Sequence, residues 1–321
     1  MSAIPPEARR ILRDGVLCYL ATSHPAAPHV TPVVYAFDAG RIWVTTSRRS
    51  VKARAWRRDR RVAGLIRSGD RAVSFRGTVR TYDALDLSSW PAATVAGPAI
   101  VRAATRFSMK NARFFAGYAV DANRVPFAWT PPGRVFVAVR PASGFVLRDG
   151  DIVGCWGDAG ERPVGSAARF AAPARRRALD LGVPEAVRRA IGAHGLGALT
   201  VADATGRSTV IPAAWRRSAA ANRYDVALPS SFARAAGAVD GCPASLTLDR
   251  ASSWRATEMT GLLVQGHADV FDPMAVRGGK RALLARLQAI GGVPVTDAML
   301  ARVEARRLVW WHGWTSGTVT P

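Results

Sequence analysis

Lysine is nearly missing from this chain. Of 45 basic residues only Lys52, Lys110 and Lys280 are lysines, so the basicity is almost wholly arginine. Acidic groups are sparse as well: 23 Asp and Glu leave a net charge of +22 over 321 residues. The three cysteines, Cys18, Cys155 and Cys242, stand far apart, which excludes a disulfide framework and a cysteine metal cluster. The five histidines, His24, His29, His194, His267 and His312, form no paired motif, so no zinc site is expected and no metal ligand is assigned. No apolar run approaches the roughly 20 residues that cross a bilayer, and no membrane partner is expected. The opening MSAIPPEARRILRDG is charged and helical and lacks the apolar middle of a leader peptide; the chain reads as cytoplasmic. Nucleophile elbow, paired carboxylates and Cys–His pairing are all lacking, so no catalytic residue is assigned, His29 included.

The arginine excess has two readings. One is the codon usage of a GC-rich genome. The other is an anionic ligand, because a guanidinium holds phosphate or carboxylate through two parallel hydrogen bonds. Nucleic acid is disfavoured: the basic residues spread over both halves, with no RNA-stacking aromatic signature or zinc-finger spacing.

What is present is a repeat. Pro6-Glu7-Ala8 and Pro184-Glu185-Ala186 each open a short amphipathic stretch followed by an apolar strand. In the first copy a helix over Pro6–Asp14 leads to strands at Val16–Thr22, Val30–Phe37 and Arg41–Thr46. Ser50 caps a helix from Val51 to Arg58. Strands follow at Val62–Ile66 and Ala72–Tyr82, then a helix over Ala99–Tyr118, then a strand at Arg134–Arg140 that bends at Pro141 and continues through Phe145–Leu147. The second copy repeats the order: a helix from Pro184, strands near Ala198–Ala202, Ser208–Trp215 and Arg223–Leu228, a short helix capped by Ser230 or Ser231, strands at Ala244–Leu248 and Met259–Val270, a helix over Pro273–Ile290 and a closing strand Val303–Trp311. Pro32 matches Pro212, Arg76-Gly77 matches Gln265-Gly266, and Lys52 matches Arg234. Self-similarity of this kind marks duplication of one structural unit. The expected domains are 1–148 and 183–321, joined by a Gly-, Pro- and Arg-containing segment 149–182 whose run AARFAAPARRRALDLG reads as helical. Six short antiparallel strands with inserted helices suit a small barrel, which removes the sheet edges.

The stretch Leu20–Ile66 resembles the flavin-binding split β-barrel superfamily, the pyridoxamine 5′-phosphate oxidase-like group with its deazaflavin (coenzyme F420) branches. Three features carry the resemblance: the L-A-T…H-V-T-P-V strand pair; the aromatic strand ending in Thr45-Thr46-Ser47; and Ser50-Val51-Lys52 followed by R-x-W-R-R-D-R-R-V and Arg76-Gly77. It extends weakly to Leu199–Asp272 through the internal repeat. It implies a mainly β fold with helices: two tandem split β-barrel domains forming an intrachain pseudo-dimer, with cofactor bound between barrels. By the same resemblance Thr31, Pro32 and Val33 would line a flavin or deazaflavin ring. Thr45, Thr46 and Ser47 would sit near ring and ribityl chain. Ser50 and Lys52, with Arg48 or Arg49, would hold the phosphate, and Arg76 is a further cofactor-binding candidate. The phosphate assignment has independent support, since Ser50 opens a helix whose free N–H groups and dipole favour an anion.

The second copy departs from this pattern. PSSFARAAGAVDG keeps only Arg234 of the basic cluster, with Ser230 and Ser231 as remaining donors. The second copy is expected to supply an opposing wall, for which Trp215, Trp310, Trp311 and Arg306 are candidates; the tryptophans can stack on a planar ring or pack within their strand. The resemblance implies an oxidoreductase using FMN or coenzyme F420, with hydride passing to or from a small organic substrate. The alternative is a non-catalytic flavin- or haem-binding protein. An internal pseudo-dimer can stand as a monomer or form a homodimer.

Overall fold

The computed structural model describes residues 3–24, 27–121, 133–159, 178–218, 222–250, 255–271 and 298–320. Helix α1 (Pro6–Asp14) starts on proline, where the missing N–H is no loss, and buries Ala8, Ile11 and Leu12. Strands β1 (Leu17–Thr22), β2 (His29–Asp38) and β3 (Arg41–Ser47) form an antiparallel meander. Helix α2 (Val51–Arg58) follows, then β4 (Arg61–Ser68) and β5 (Arg71–Tyr82). Three helices, α3 (Trp90–Val95), α4 (Gly97–Lys110) and α5 (Ala112–Val120), precede the long strand β6 (Arg134–Arg148). The helix expected over Ala99–Tyr118 is therefore two. The break falls at buried Asn111, whose Nδ2 donates to the Phe107 carbonyl at 2.8 Å and to the Tyr35 carbonyl at 3.3 Å. Within the segment read as a connection, Asp151–Trp156 forms strand β7 and pairs with β6. Most of the helical run expected near residue 170 lies outside the described residues.

The second half repeats this order with α6 (Glu185–Ile191), β8 (His194–Ala202), β9 (Ser208–Arg217), β10 (Arg223–Pro229), α7 (Ser230–Ala236), β11 (Cys242–Arg250), β12 (Thr260–Phe271), β13 (Ala298–His312) and β14 (Thr315–Val319). The helix expected over Pro273–Ile290 lies outside the described residues. The two sheets have the same strand order, β3-β2-β1-β4-β5-β6-β7 and β10-β9-β8-β11-β12-β13-β14. Each closes on itself, β3 onto β6 and β10 onto β13, giving two six-stranded antiparallel barrels with one extra strand apiece. Even the irregularities repeat. The β5–β6 ladder slips at Arg76/Gly77 opposite Pro141, and the β12–β13 ladder slips at Gln265/Gly266 opposite Ala305. A side chain on Gly77 would collide with the Arg140 carbonyl, and one on Gly266 with the Glu304 carbonyl. Both bulges therefore require glycine.

The first barrel is filled by Leu12, Leu20, Tyr35, Ile42, Trp56, Phe75 and their neighbours. A second apolar cluster runs from the interior of the other barrel across the seam, joining Tyr19, Val30, Leu65 and Leu147 to Leu199, Ile211, Leu246 and Leu263. Polar groups cross this seam in a pseudo-twofold manner. Gln265 Nε2 donates to the Ala27 carbonyl at 3.0 Å, and its counterpart Arg76 donates through Nε to the Ser208 carbonyl at 3.2 Å. Thr247 Oγ1 donates to the Val30 carbonyl at 3.3 Å, and Ser74 Oγ to the Val210 carbonyl at 2.6 Å. The halves thus meet through an apolar core and crossing hydrogen bonds, as the subunits of an isologous dimer do. Among the described residues no helix is long and apolar enough to cross a membrane.

Candidate functional site

The site arises where the first barrel splits. Strand β2 pairs with β1 along its whole first half, from Thr22↔His29 to Leu17↔Val34. Its pairing with β3 begins only at Tyr35↔Val44, and beyond Val44 the residues Thr45, Thr46 and Ser47 pair with β6 alone. The outer edge of β2 from His29 to Val34 is thereby left free of a strand partner. Proline is tolerated at such an edge, and Pro32 occupies it. Helix α2 stands across the gap.

Ser50 has extended backbone and caps α2; its Oγ accepts from the Ala53 N–H at 3.1 Å and lies 3.0 Å from Thr46 Oγ1. Lys52, in the first turn, is only 6 % exposed, and its Nζ donates to Thr31 Oγ1, tying α2 to β2. Burial, with repulsion from Arg134, pushes the Lys52 ammonium down to about 7. Arg134 holds Thr45, with Nε 2.9 Å from its Oγ1 and Nη2 2.9 Å from its carbonyl.

These groups line one side of a cavity of about 430 Å³. Thr31, Pro32, Val33, Thr45, Thr46, Ser47, Arg49, Ser50 and Lys52 are brought together on it. Arg76 is not. Its guanidinium is engaged at the seam by Ser208 and Thr209, and it borders a separate depression of about 180 Å³ with Arg61, Asp158 and Arg207. Arg48 is also directed elsewhere, since its Nη2 sits 2.5 Å from the buried Asp83 carboxylate, which Arg57 approaches at 3.4 Å. Sequence reasoning missed Arg54, Arg134 and Phe114, which line the cavity too. Arg54 was legible as the residue two positions after Lys52. Arg134 and Phe114 come from distant elements, and nothing local marks them.

The opposite wall belongs to the second barrel: Met259, Val309, Trp310, Trp311, Trp314 and the β13–β14 turn. Trp310 lies against Gly317 and Trp311 against Gly261, positions where any side chain would strike an indole. Of the expected wall residues Trp310 and Trp311 are there. Trp215 is buried within the second barrel beside Tyr224, and Arg306 is exposed at the β12–β13 bulge. The cavity wall carries Arg49, Lys52, Arg54 and Arg134 and no carboxylate among its described lining residues, so its potential favours an anion.

The matching place in the second barrel is closed. Tyr35↔Val44 corresponds to Trp215↔Val226, so Thr45-Thr46-Ser47 becomes Ala227-Leu228-Pro229, and Phe232 stands where the first barrel has Ser50. Leu228 and Phe232 are buried in the seam-spanning cluster, with Ile152 of β7 packed on it. Ser230 is buried and Ser231 donates to the Gly150 carbonyl at 3.3 Å, so both are used in packing α7.

Comparison with known proteins bears on the first barrel. Residues 5–106 match the family described as pyridoxamine 5′-phosphate oxidase. No curated protein matches the chain. Among solved structures, the chain is similar to a conserved hypothetical protein of Mycobacterium tuberculosis (25% identity over 44% of this chain and 82% of that one, TM-score 0.31). It is also similar to a pyridoxamine 5′-phosphate oxidase-related, FMN-binding protein of Nostoc punctiforme (16% identity, 45% and 85% covered, TM-score 0.32). An F420 reductase is a third (20% identity, 43% and 95% covered, TM-score 0.29). The match over residues 5–106 and the two closed six-stranded barrels in tandem agree with the resemblance to the pyridoxamine 5′-phosphate oxidase-like split-barrel superfamily.

Proposed function

We propose that the seam cavity binds one phosphate-bearing planar cofactor, FMN or coenzyme F420, and that the protein is an oxidoreductase acting on a small organic molecule. The observation that carries this reading is the pairing of opposites across the cavity. One wall has a buried lysine, a capped helix start and three arginines; the other has three tryptophans. A cavity of this size falls in the range of roughly 300–1,000 Å³ typical of ligand sites.

The residues present fit such a group. Lys52 is buried with its ammonium on the Thr31 hydroxyl, and among the described lining residues of the cavity there is no carboxylate. A bound phosphate would restore the counter-charge that burial denies the ammonium. Arg49 and Arg54 are exposed at the mouth and can close on the phosphate or an anionic tail. Ser50 keeps its hydroxyl on the same side, and the first-turn N–H groups of α2 add their partial positive charge. Thr31, Pro32 and Val33 offer backbone and a hydroxyl to one edge of the ring, and Trp310 and Trp311 supply flat apolar surface. The bound ring would accept or donate hydride; the protein would supply position, electrostatics and exclusion of water.

The test is an absorbance titration of purified protein with FMN and with F420, repeated with Lys52→Ala. Saturable binding of one of them, weakened at least tenfold by the substitution, supports the reading. A protein that binds neither ends it.

A further inference from the structure

The cofactor reading gives no task to one buried imidazole in the cavity. His29, the first residue of β2, is 7 % exposed and lines the cavity, and its Nδ1 has no hydrogen-bond partner. A ring nitrogen shut away from water without a partner carries an unrecovered desolvation cost. Such a group calls for a partner, whether ordered water or a bound ligand.

Its position indicates what that is. Residues 29, 31 and 33 share one face of β2, so His29 sits beside Thr31, about 7 Å further along the strand. Thr31 already takes Lys52, whose helix start marks the anionic end of the cavity. His29 also has His24 beside it, at a ring separation of 6.4 Å, and Arg307 holds His24 Nε2 at 3.0 Å. We propose that His29 is the ring-edge binding group of this site: its imidazole hydrogen-bonds a carbonyl or N–H on the polar edge of the planar ring, while Lys52 and Arg49 answer the phosphate. This inference rests on the proposed cofactor reading.

The electrostatics agree. Lys52 from α2, His24 from the loop after β1 and Arg307 from β13 surround His29, and none carries negative charge. Burial and these neighbours push its protonation down to about 3. The imidazole therefore stays neutral over the whole working range, with one N–H and one lone pair to offer. A neutral partner suits the edge of a flavin or deazaflavin, which alternates C=O and N–H. It does not suit a phosphate.

The experiment compares wild type, His29→Leu, His29→Gln, Lys52→Ala and the His29→Leu/Lys52→Ala double variant, titrated with FMN and with riboflavin, which has the same ring without the phosphate. F420 and its phosphate-free ribityl deazaflavin serve as the second pair. The expected result is that His29→Leu weakens both members of a pair by the same factor, about tenfold. His29→Gln keeps a donor and an acceptor and recovers to within about threefold of wild type. Lys52→Ala weakens the phosphate-bearing member alone. The double variant binds the phosphate-bearing member more weakly than either single variant does. The absorption band of the bound ring shifts in His29→Leu and not in Lys52→Ala. Binding unaffected by His29→Leu, or a loss confined to the phosphate-bearing member, or a glutamine variant as weak as leucine, overturns the inference while the cofactor reading stands. Wild type that binds no member of either pair removes both.

Discussion

In the first barrel the third strand runs through Thr45, Thr46 and Ser47 into a helix whose second residue is a buried lysine. In the second barrel the same stretch is Ala227, Leu228 and Pro229, and a phenylalanine occupies the place of the capping serine. The barrels agree in strand order, closure and even the glycine bulge, yet one keeps a hollow and the other has filled it. The difference shows which parts of the unit belong to the fold and which do not. Gly77 and Gly266 are both kept because the backbone geometry demands them. Ser50 and Lys52 are not kept, because a barrel stands without them once apolar side chains take their volume. The third strand and extra hairpin are reused in different roles: β14 helps wall the cavity, while β7 packs the closed niche.

The contrast can be broken in several ways. The largest effect is expected at the filled niche. Phe232→Ala should cost roughly 3–5 kcal/mol in denaturant unfolding, the loss typical of an emptied aromatic core site, and leave FMN affinity unchanged. A loss below about 1 kcal/mol would mean that the second niche is not truly packed. Next comes the charge at the open site. Lys52→Ala should weaken FMN or F420 by about 30- to 1,000-fold, as truncation of a buried charge partner does. Arg234→Ala at the matching position should change ligand affinity less than twofold, and calorimetry should return one ligand per chain. Two ligands per chain would contradict the sealed second niche.

A smaller effect is expected from pH. The folded-state protonation of Lys52 lies near 7, below its unfolded value, so the unfolded chain holds more protons between about pH 7 and 10. The ligand-free protein should therefore gain stability from this group as pH rises through that window. Affinity for a phosphate-bearing ligand should move the other way, falling up to about tenfold per unit above pH 7, since binding requires the ammonium. Lys52→Arg should flatten that affinity profile between pH 7 and 9; an unchanged slope would assign the titration to another group. The smallest effect separates the two helix starts. Ser50→Ala should cost about 1 kcal/mol of stability through the lost cap. Ser231→Ala should cost within about 0.5 kcal/mol, because its hydroxyl reaches only the Gly150 carbonyl at 3.3 Å.

Much of this arrangement is legible in the chain itself. Strand periodicity, the Pro and Gly kept in register and the serine before Val51-Lys52 mark barrels, bulges and the capped helix, because each depends on local chemistry. The lining residues from β2, β3 and α2 follow from the same stretch. What is not legible is long-range. Asp83 draws Arg48 away from the cavity, Thr209 and Ser208 claim Arg76, and Arg134 arrives from a strand 89 positions beyond Thr45. The plugging of the second niche was half visible. The loss of basic residues from PSSFARAAGAVDG is plain, but that Phe232 is buried depends on a cluster that draws Leu228 and Ile152 from other elements.

The seam joins parts of one polypeptide, and this has a consequence for how the pocket behaves at low concentration. A pocket shared between separate subunits is emptied when they drift apart on dilution. Here the tether holds the second wall near the first at an effective concentration that no dilution lowers. Each wall is also encoded once, so a change to the tryptophan face need not be mirrored beside the lysine, and the two sides can be tuned apart.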